Sequence, residues 1–543
     1  MGAPAAPPAQ VVPHAAPTTG HPGRESARWW GEIALVAAGA AVWYGVFYFG
    51  RGLDVPDEGL LLHAAERLAQ GQVPYRDIYF IYTPGLQYTL ALLFRLVGPG
   101  LAVEHALLAA LAVAMGTTVY ALARTVAGWR PAAAAVALVA VFAGLNSYRF
   151  WLGLLVVAAL GAYARRPTPR RLLAVGALVG VTYLFAQEVG LYALGTALGY
   201  LGLAWLCGRP RRPGALLARA GYLLAGAGVV LGPWVLVLTL QGALGPMLDA
   251  TLRVAFLHQP RYMHVPLPPL LPLVPDQLDT NVVYGPPPYL LYVKCLLYLP
   301  LVAALGGSAW FLWRLGREGL SPPLQRAAPA LGFAVLALAT IADRADYYHL
   351  RQLLPATLVV VAWLLAEGAR GLERRAGHPR VRLLALLPLA PMLALSVGEA
   401  RQWRADQSAL LETPRGRVWV TAEQARDLGA LLAALRARTA PGEPIFVWPA
   451  ETGLYFLADR PNPTRFGQLV PTEAELLRER DGAVQRELLA AIDAAGVRWG
   501  VAAPTENVDG VPFAAYAPLL AAALDARFQP VARFGYWTLH ARR

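Results

Sequence analysis

What most constrains this chain is a series of long apolar runs, near 30–50, 83–97, 102–124, 131–145, 150–164, 172–186, 189–207, 217–241, 289–313, 327–342, 350–368 and 382–398. About 20 such residues cross the hydrocarbon of a bilayer as a helix, whose backbone groups bond one another where no water can reach them. A chain with this many runs has lipid as its solvent. The charge content agrees, since only 15% of the residues are charged and 57% are hydrophobic, against roughly 25% charged in soluble domains.

The net charge of +13 does not point to nucleic acid, because the basic residues stand in short clusters between the runs rather than in one patch. The clusters are Arg24/Arg28, Arg124/Arg130, Arg165/Arg166/Arg170/Arg171, Arg209/Arg211/Arg212/Arg219, Arg314/Arg317/Arg326 and Arg370/Arg374/Arg375/Arg380/Arg382. Positively charged loops stay in the cytoplasm. If all six do so, one early run must fail to cross. The run 83–97 is short, opens on Thr83-Pro84-Gly85 and ends on Arg95, and reads as a juxtamembrane or re-entrant helix. That leaves about eleven spans. Residues 1–29, rich in Pro and Ala, predict a disordered cytoplasmic tail, and the first run is long enough to remain as an anchor rather than a cleaved signal. Cys207 and Cys295 lie in or beside apolar runs, which supplies neither a disulfide framework nor a zinc site.

The outward segments are then 51–101, 146–149, the turn at Gln187-Glu188, 242–288 and 343–349, followed by everything after 399. From there charges return, and strand-like Ile445-Phe446-Val447-Trp448 and Val497-Arg498-Trp499-Gly500-Val501 flank a helical pattern at 472–495. The expected fold is an α-helical polytopic membrane domain over 30–398, carrying the outer loop 51–101, with a small extracytoplasmic α/β domain over 399–543. No internal repeat stands out, which disfavours transporters built from inverted repeats.

The outward segments also hold the unusual polar residues. Asp54, Asp57, Glu58 and Asp77 fall within one stretch of 24 residues. Asp57 has two readings: it caps a helix over 58–70, or it is a general base at the water interface. Gln187-Glu188 interrupts an apolar stretch, where an acid is costly unless paired or facing water. Glu188 either marks the turn or holds sugar hydroxyls. Asp343-Arg344-Ala345-Asp346-Tyr347-Tyr348-His349-Leu350-Arg351 either solvates a short loop or presents Arg344, His349 and Arg351, with Asp346, to a phosphate. Lys294 either snorkels to the interface or reaches the same phosphate. Loop 242–288, with Arg253, His258, Arg261, Tyr262 and His264, is a lid over a lipid-linked substrate or a surface loop. Its two histidines, lacking an acidic partner nearby, make a weak zinc site.

Asp57-Glu58, Gly71-Gln72-Val73-Pro74-Tyr75-Arg76-Asp77 and Tyr82-Thr83-Pro84-Gly85, in that order, resemble the first outer loop of the GT-C superfamily of membrane glycosyltransferases. The likeness is to bacterial relatives of protein O-mannosyltransferases and aminoarabinose transferases. It extends loosely to the spans and to the outer domain with Tyr455-Phe456-Leu457-Ala458-Asp459-Arg460. The resemblance implies transfer of a sugar from a polyprenyl-phosphate carrier to an acceptor on the outer face of a bacterial inner membrane. Asp57 matches the catalytic aspartate, Glu58 would position it, and Asp77 and Tyr82 of the same motif would line the substrate.

The chain departs from the family in two places. A second aspartate is usual in the next outer loop, where Asn146-Ser147-Tyr148-Arg149 stands, and an arginine usually opens the following span, where Glu104-His105 stands. No residue is assigned to a metal, and whether a divalent cation takes part stays open. Membrane lipids and a lipid-linked donor are the expected partners, the acceptor being lipid, polysaccharide or protein. The rival readings are a transporter or flippase for lipid-linked sugars, an O-antigen polymerase or ligase, and a relative that has lost activity.

Overall fold

A computed structural model describes residues 22–145, 147–208, 210–258, 261, 264–267, 269–271, 287–342, 344–503 and 511–543. Of the expected tail, residues 22–29 open the first helix and 1–21 lie outside the described residues, as do Asn146, Arg209, Tyr262, Asp343 and all of 272–286.

Every expected run forms a helix. Among the described residues eight are long and apolar enough to cross a membrane: α1 (Pro22–Phe47), α4 (Leu101–Ala127), α8 (Gln187–Cys207), α9 (Pro213–Leu240), α11 (Pro287–Glu318), α12 (Pro322–Ala337, continued by a 3₁₀ turn), α13 (Tyr347–Ala376), and the segment Pro379–Asp406, which ends in α14 (Ala390–Asp406). The other three expected spans are the shorter helices α5 (Arg130–Phe142), α6 (Tyr148–Arg165) and α7 (Pro169–Phe185). The outer loop adds α2 (Asp57–Ala69) and α3 (Gly85–Val97), and α10 (Leu244–Leu248) continues as a π-helix over Asp249–His258. α3 is an apolar helix of 13 residues with Leu92, Leu96 and Val97 exposed, as a juxtamembrane helix requires.

Lipid supplies no hydrophobic drive between helices, so contact depends on close packing of small residues. Between α7 and α9, a Cβ on Gly176 would overlap the carbonyl of Leu223, and one on Gly226 would overlap that of Leu173. At one end of the bundle Arg28, Arg124 and Arg130 converge on Glu32, with Arg130 Nε 2.9 Å from its carboxylate. Two of the arginine clusters read from the sequence therefore meet at one place.

The C-terminal part begins with the hairpin β1 (Ala409–Thr413) and β2 (Gly416–Val420). A sheet of β3 (Ile445–Trp448), β4 (Trp499–Ala502), β5 (Phe528–Phe534) and β6 (Trp537–Arg542) follows, in the order β3-β4-β6-β5. Only the β3–β4 pair is parallel. β3 and the helix Ala474–Ala494 fall where the sequence pattern predicts them, and β4 starts two residues later than expected.

Two apolar cores result, one among the membrane helices and one outside them. The outer core takes Leu62, Tyr75, Ile78 and Leu90 from the first loop together with Phe446, Leu454 and Phe456 from the C-terminal part. Backbone bonds join the two, Gly453 N–H to Val55 O at 2.8 Å and Tyr79 N–H to Arg465 O at 2.8 Å. Where α2 crosses the helix at 453–458, a Cβ on Gly59 would overlap the backbone of Gly453. Loop 51–101 is thus held as an ordered layer against the C-terminal part.

Candidate active site

Asp57 is the first residue of α2, and Pro56, the residue before the helix, offers no side-chain cap. The cap comes from Asp54, whose carboxylate accepts the Asp57 N–H at 3.1 Å, while Glu58 Oε2 accepts the Asp54 N–H at 3.3 Å. This reciprocal pair does the work of a capping box. The capping reading of Asp57 is thereby corrected, and its carboxylate is left to other work.

Asp57 is exposed as a residue, while its carboxylate stands among packed neighbours. Burial pushes its pKa up, opposed by the positive charges of Arg344, Arg149 and His349. Residues from two distant segments, Arg149 from one and Arg344 with His349 from the other, therefore act on one carboxylate. Arg149, in the first turn of α6, pairs with Glu188 at 3.0 Å and lies over the Tyr82 ring with its guanidinium carbon 4.5 Å from the centroid. Tyr82 in turn feels Arg149, Asp57 and Glu188. Arg344 pairs with Asp346, which caps α13 by accepting the His349 N–H at 2.8 Å and also bonds the His349 Nδ1 at 2.8 Å. Burial would raise the Asp346 carboxyl, but its bonds to His349 and Arg344 bring it down to about 2, so it stays ionised. α2, α6, α8 and α13 all present their first turns here. Helix N-termini carry partial positive charge, which adds to the arginines.

The sequence positions the cleft through two devices. Thr83 N–H bonds Gln187 Oε1 at 3.1 Å and Gln187 Nε2 bonds the Ile81 carbonyl at 2.9 Å, so the turn between α7 and α8 fixes the end of the first loop. In the turn 71–78, Tyr75 adopts a left-handed φ of 66° and its hydroxyl bonds the Tyr82 carbonyl at 2.9 Å.

The remaining candidates sit elsewhere in the network. Asp77 builds the turn, accepting the Val73 N–H at 2.8 Å and the Arg76 guanidinium, whose bond lowers its pKa. Arg351 bonds the Ala143 carbonyl and the Tyr347 hydroxyl and lies 3.8 Å from Glu399. Lys294 is buried rather than snorkelling, and its ammonium donates to the Pro269 carbonyl at 2.7 Å in the outer loop. That loop also makes one isolated parallel bridge to Arg344, with Ala345 N–H bonding Val265 O at 2.9 Å. Arg253 bridges Asp249 and Glu479, and the side chain of His258 lies outside the described residues.

Arg149 is the residue that sequence reasoning missed, having been noted only as a departure from the family pattern. The signal was available: it is an arginine in a segment that the sequence reading places outside, against the positive-inside trend. A group that can hold a metal was passed over too. Glu58, Glu104 and His105 each bring one donor atom within 4.8 Å of the others.

No family model matches the chain, and no curated protein matches it. Among solved structures it is similar to ArnT from Cupriavidus metallidurans in the apo state, with a TM-score of 0.52, 15% identity, and coverage of 95% of this chain and 98% of that one. It is similar also to ArnT from the same organism bound to undecaprenyl phosphate, with a TM-score of 0.51, 16% identity, and coverage of 94% and 98%. These likenesses show that the chain has the fold of ArnT.

Proposed function

We propose that this chain is a membrane glycosyltransferase that moves a sugar from a polyprenyl-phosphate-linked donor to an acceptor hydroxyl on the outer face of the bacterial inner membrane. One observation carries the reading: Asp57 opens α2 within electrostatic reach of Arg149, Arg344 and His349, and Glu188 and Asp346, at the starts of α8 and α13, hold the two arginines in place. A base and an anion site side by side are what the reaction needs.

Asp57 takes the acceptor proton as the acceptor oxygen bonds to the anomeric carbon. The bond from that carbon to the carrier phosphate breaks, and the electron pair leaves on the phosphate. Attack opposite the leaving group inverts the anomeric centre. Arg344 and Arg149 stabilise the departing phosphate, because a guanidinium bonds phosphate oxygens in pairs and stays charged. Glu58 and Asp54 hold Asp57 at the helix start, and Glu188 holds Arg149 in place. The four helix N-termini add field of the same sign. A carrier with a long apolar tail suits a cleft at the edge of a membrane bundle. In ArnT, the protein whose fold this chain shares, a structure contains undecaprenyl phosphate.

Mass spectrometry of glycolipids and glycoproteins in a deletion strain tests the reading. Loss of one sugar from one class of acceptor, with accumulation of its polyprenyl-phosphate form, is the expected result. An unchanged set of glycoconjugates together with an unchanged lipid-linked sugar pool contradicts it.

A further inference from the structure

Glu104 stands in the first turn of α4 and is fully buried, yet among the described residues neither of its carboxylate oxygens has a hydrogen-bond partner. The buried Oε1 of Glu58 has none either, although its Oε2 accepts the Asp54 N–H. His105, exposed by only 8% of its side chain, directs Nε2 between them. The separations are 3.5 Å to Glu58 Oε1 and 3.6 Å to Glu104 Oε2. Desolvating a carboxylate without a donor costs several kcal/mol, so something must compensate this group.

The spacing decides between a proton and a cation. A shared proton draws donor and acceptor to roughly 2.5–3.0 Å. Ligands bonded at about 2.0–2.2 Å in a tetrahedral shell stand roughly 3.3–3.6 Å apart. The observed separations fit the second case. The donor set narrows the ion further, because an imidazole beside two carboxylates suits zinc and its transition-metal neighbours, whereas calcium and magnesium prefer oxygen alone.

We propose that Glu58, Glu104 and His105 bind one divalent transition-metal ion of the zinc class. Glu58 is divided between two tasks, one oxygen on the backbone of Asp54 and the other on the ion, and such outer bonds orient a ligand. The ion ties the start of α2 to the start of α4, one residue away from Asp57. Three protein ligands leave a fourth position free, and the partly exposed Glu58 gives the ion a way in from solvent. The site also accounts for Glu104-His105 standing where the sequence resemblance leads one to expect an arginine.

The test needs no substrate and is separate from the proposed transfer reaction. Full-length protein in detergent is stripped with a chelator, equilibrated with Zn²⁺ or Co²⁺, desalted, and its metal measured by plasma mass spectrometry, with visible absorption for Co²⁺. About one ion per chain and a tetrahedral Co²⁺ spectrum are expected. Glu104→Gln and His105→Ala should lower retention at least about tenfold, the scale on which even outer-shell changes weaken metal sites, while Asp57→Asn retains the ion. Should either variant fail to give monodisperse protein, the wild-type Co²⁺ spectrum decides alone. Wild-type protein that retains neither ion, or two folded variants that retain it as wild type does, would overturn the site.

Discussion

At the scale of single residues, the cleft separates two arginines that look alike in the sequence. Arg344 acts on the Asp57 carboxylate, whereas Arg351 bonds the Ala143 carbonyl and Tyr347 beside Glu399. Arg344→Ala is therefore expected to weaken donor use at normal yield. Loss of a charge-assisted hydrogen bond of about 1.5–3 kcal/mol corresponds to a donor KM raised roughly tenfold to a hundredfold. Arg351→Ala is expected instead to lower thermal stability by about 1–3 kcal/mol, since it leaves a buried carbonyl unmet. Steady-state kinetics and unfolding curves on the same two preparations check both. The sequence placed the two arginines seven residues apart in one polar run, and only the course of α13 shows that they serve different neighbours. Arg149 was harder to see, because its partners Glu188 and Tyr82 are remote in the chain and meet only through the packing of α6 and α8.

At the scale of elements, the long apolar runs were legible because their meaning follows from lipid itself, whereas the start of α2 was not. Asp54 and Asp57 are both good cap residues, and Pro56 between them decides the matter by taking the position before the helix, so that Asp57 becomes its first residue. The outer contact of the C-terminal part was equally hidden, since Gly59 and Gly453 carry no pattern that announces their meeting. Near that contact Glu451 is buried, accepts Trp537 Nε1–H at 2.9 Å and Tyr536 O–H at 3.3 Å, and faces Asp54. Burial, the largest cause, pushes its pKa up to about 7. A folded-state pKa above the unfolded value of about 4.3 means that the folded chain binds the extra proton. The stability it confers is full below about pH 4.3 and lost as pH rises through 7. Glu451→Gln keeps an acceptor for Trp537 and removes the charge. The variant should unfold at a higher temperature than wild type at pH 8, by on the order of 3 kcal/mol at most, and differ little at pH 5. Equal wild-type and variant midpoints at pH 8 would contradict this assignment.

At the scale of the molecule, the arginines meeting at Glu32 mark one end of the bundle, and Asp57 with the C-terminal part marks the other. The proposed topology therefore puts the C-terminus outside. A reporter fused after Arg543 should be active only in the form that works outside the cytoplasm, and cysteines at 98–100 should react with an impermeant reagent. Cytoplasmic activity of the fusion would reverse the arrangement. The central claim rests on Asp57. Asp54 supplies the cap, so Asp57→Asn should leave folding, yield and monodispersity unchanged while removing the group that takes the acceptor proton. The direct measurement is the rate of sugar transfer by this variant in detergent, against wild type, with the lipid-linked donor that accumulates in the deletion strain. A loss of about 10²–10⁴ in kcat with folding intact is the predicted result. Transfer at the parental rate would contradict the account and return Asp57 to a structural role.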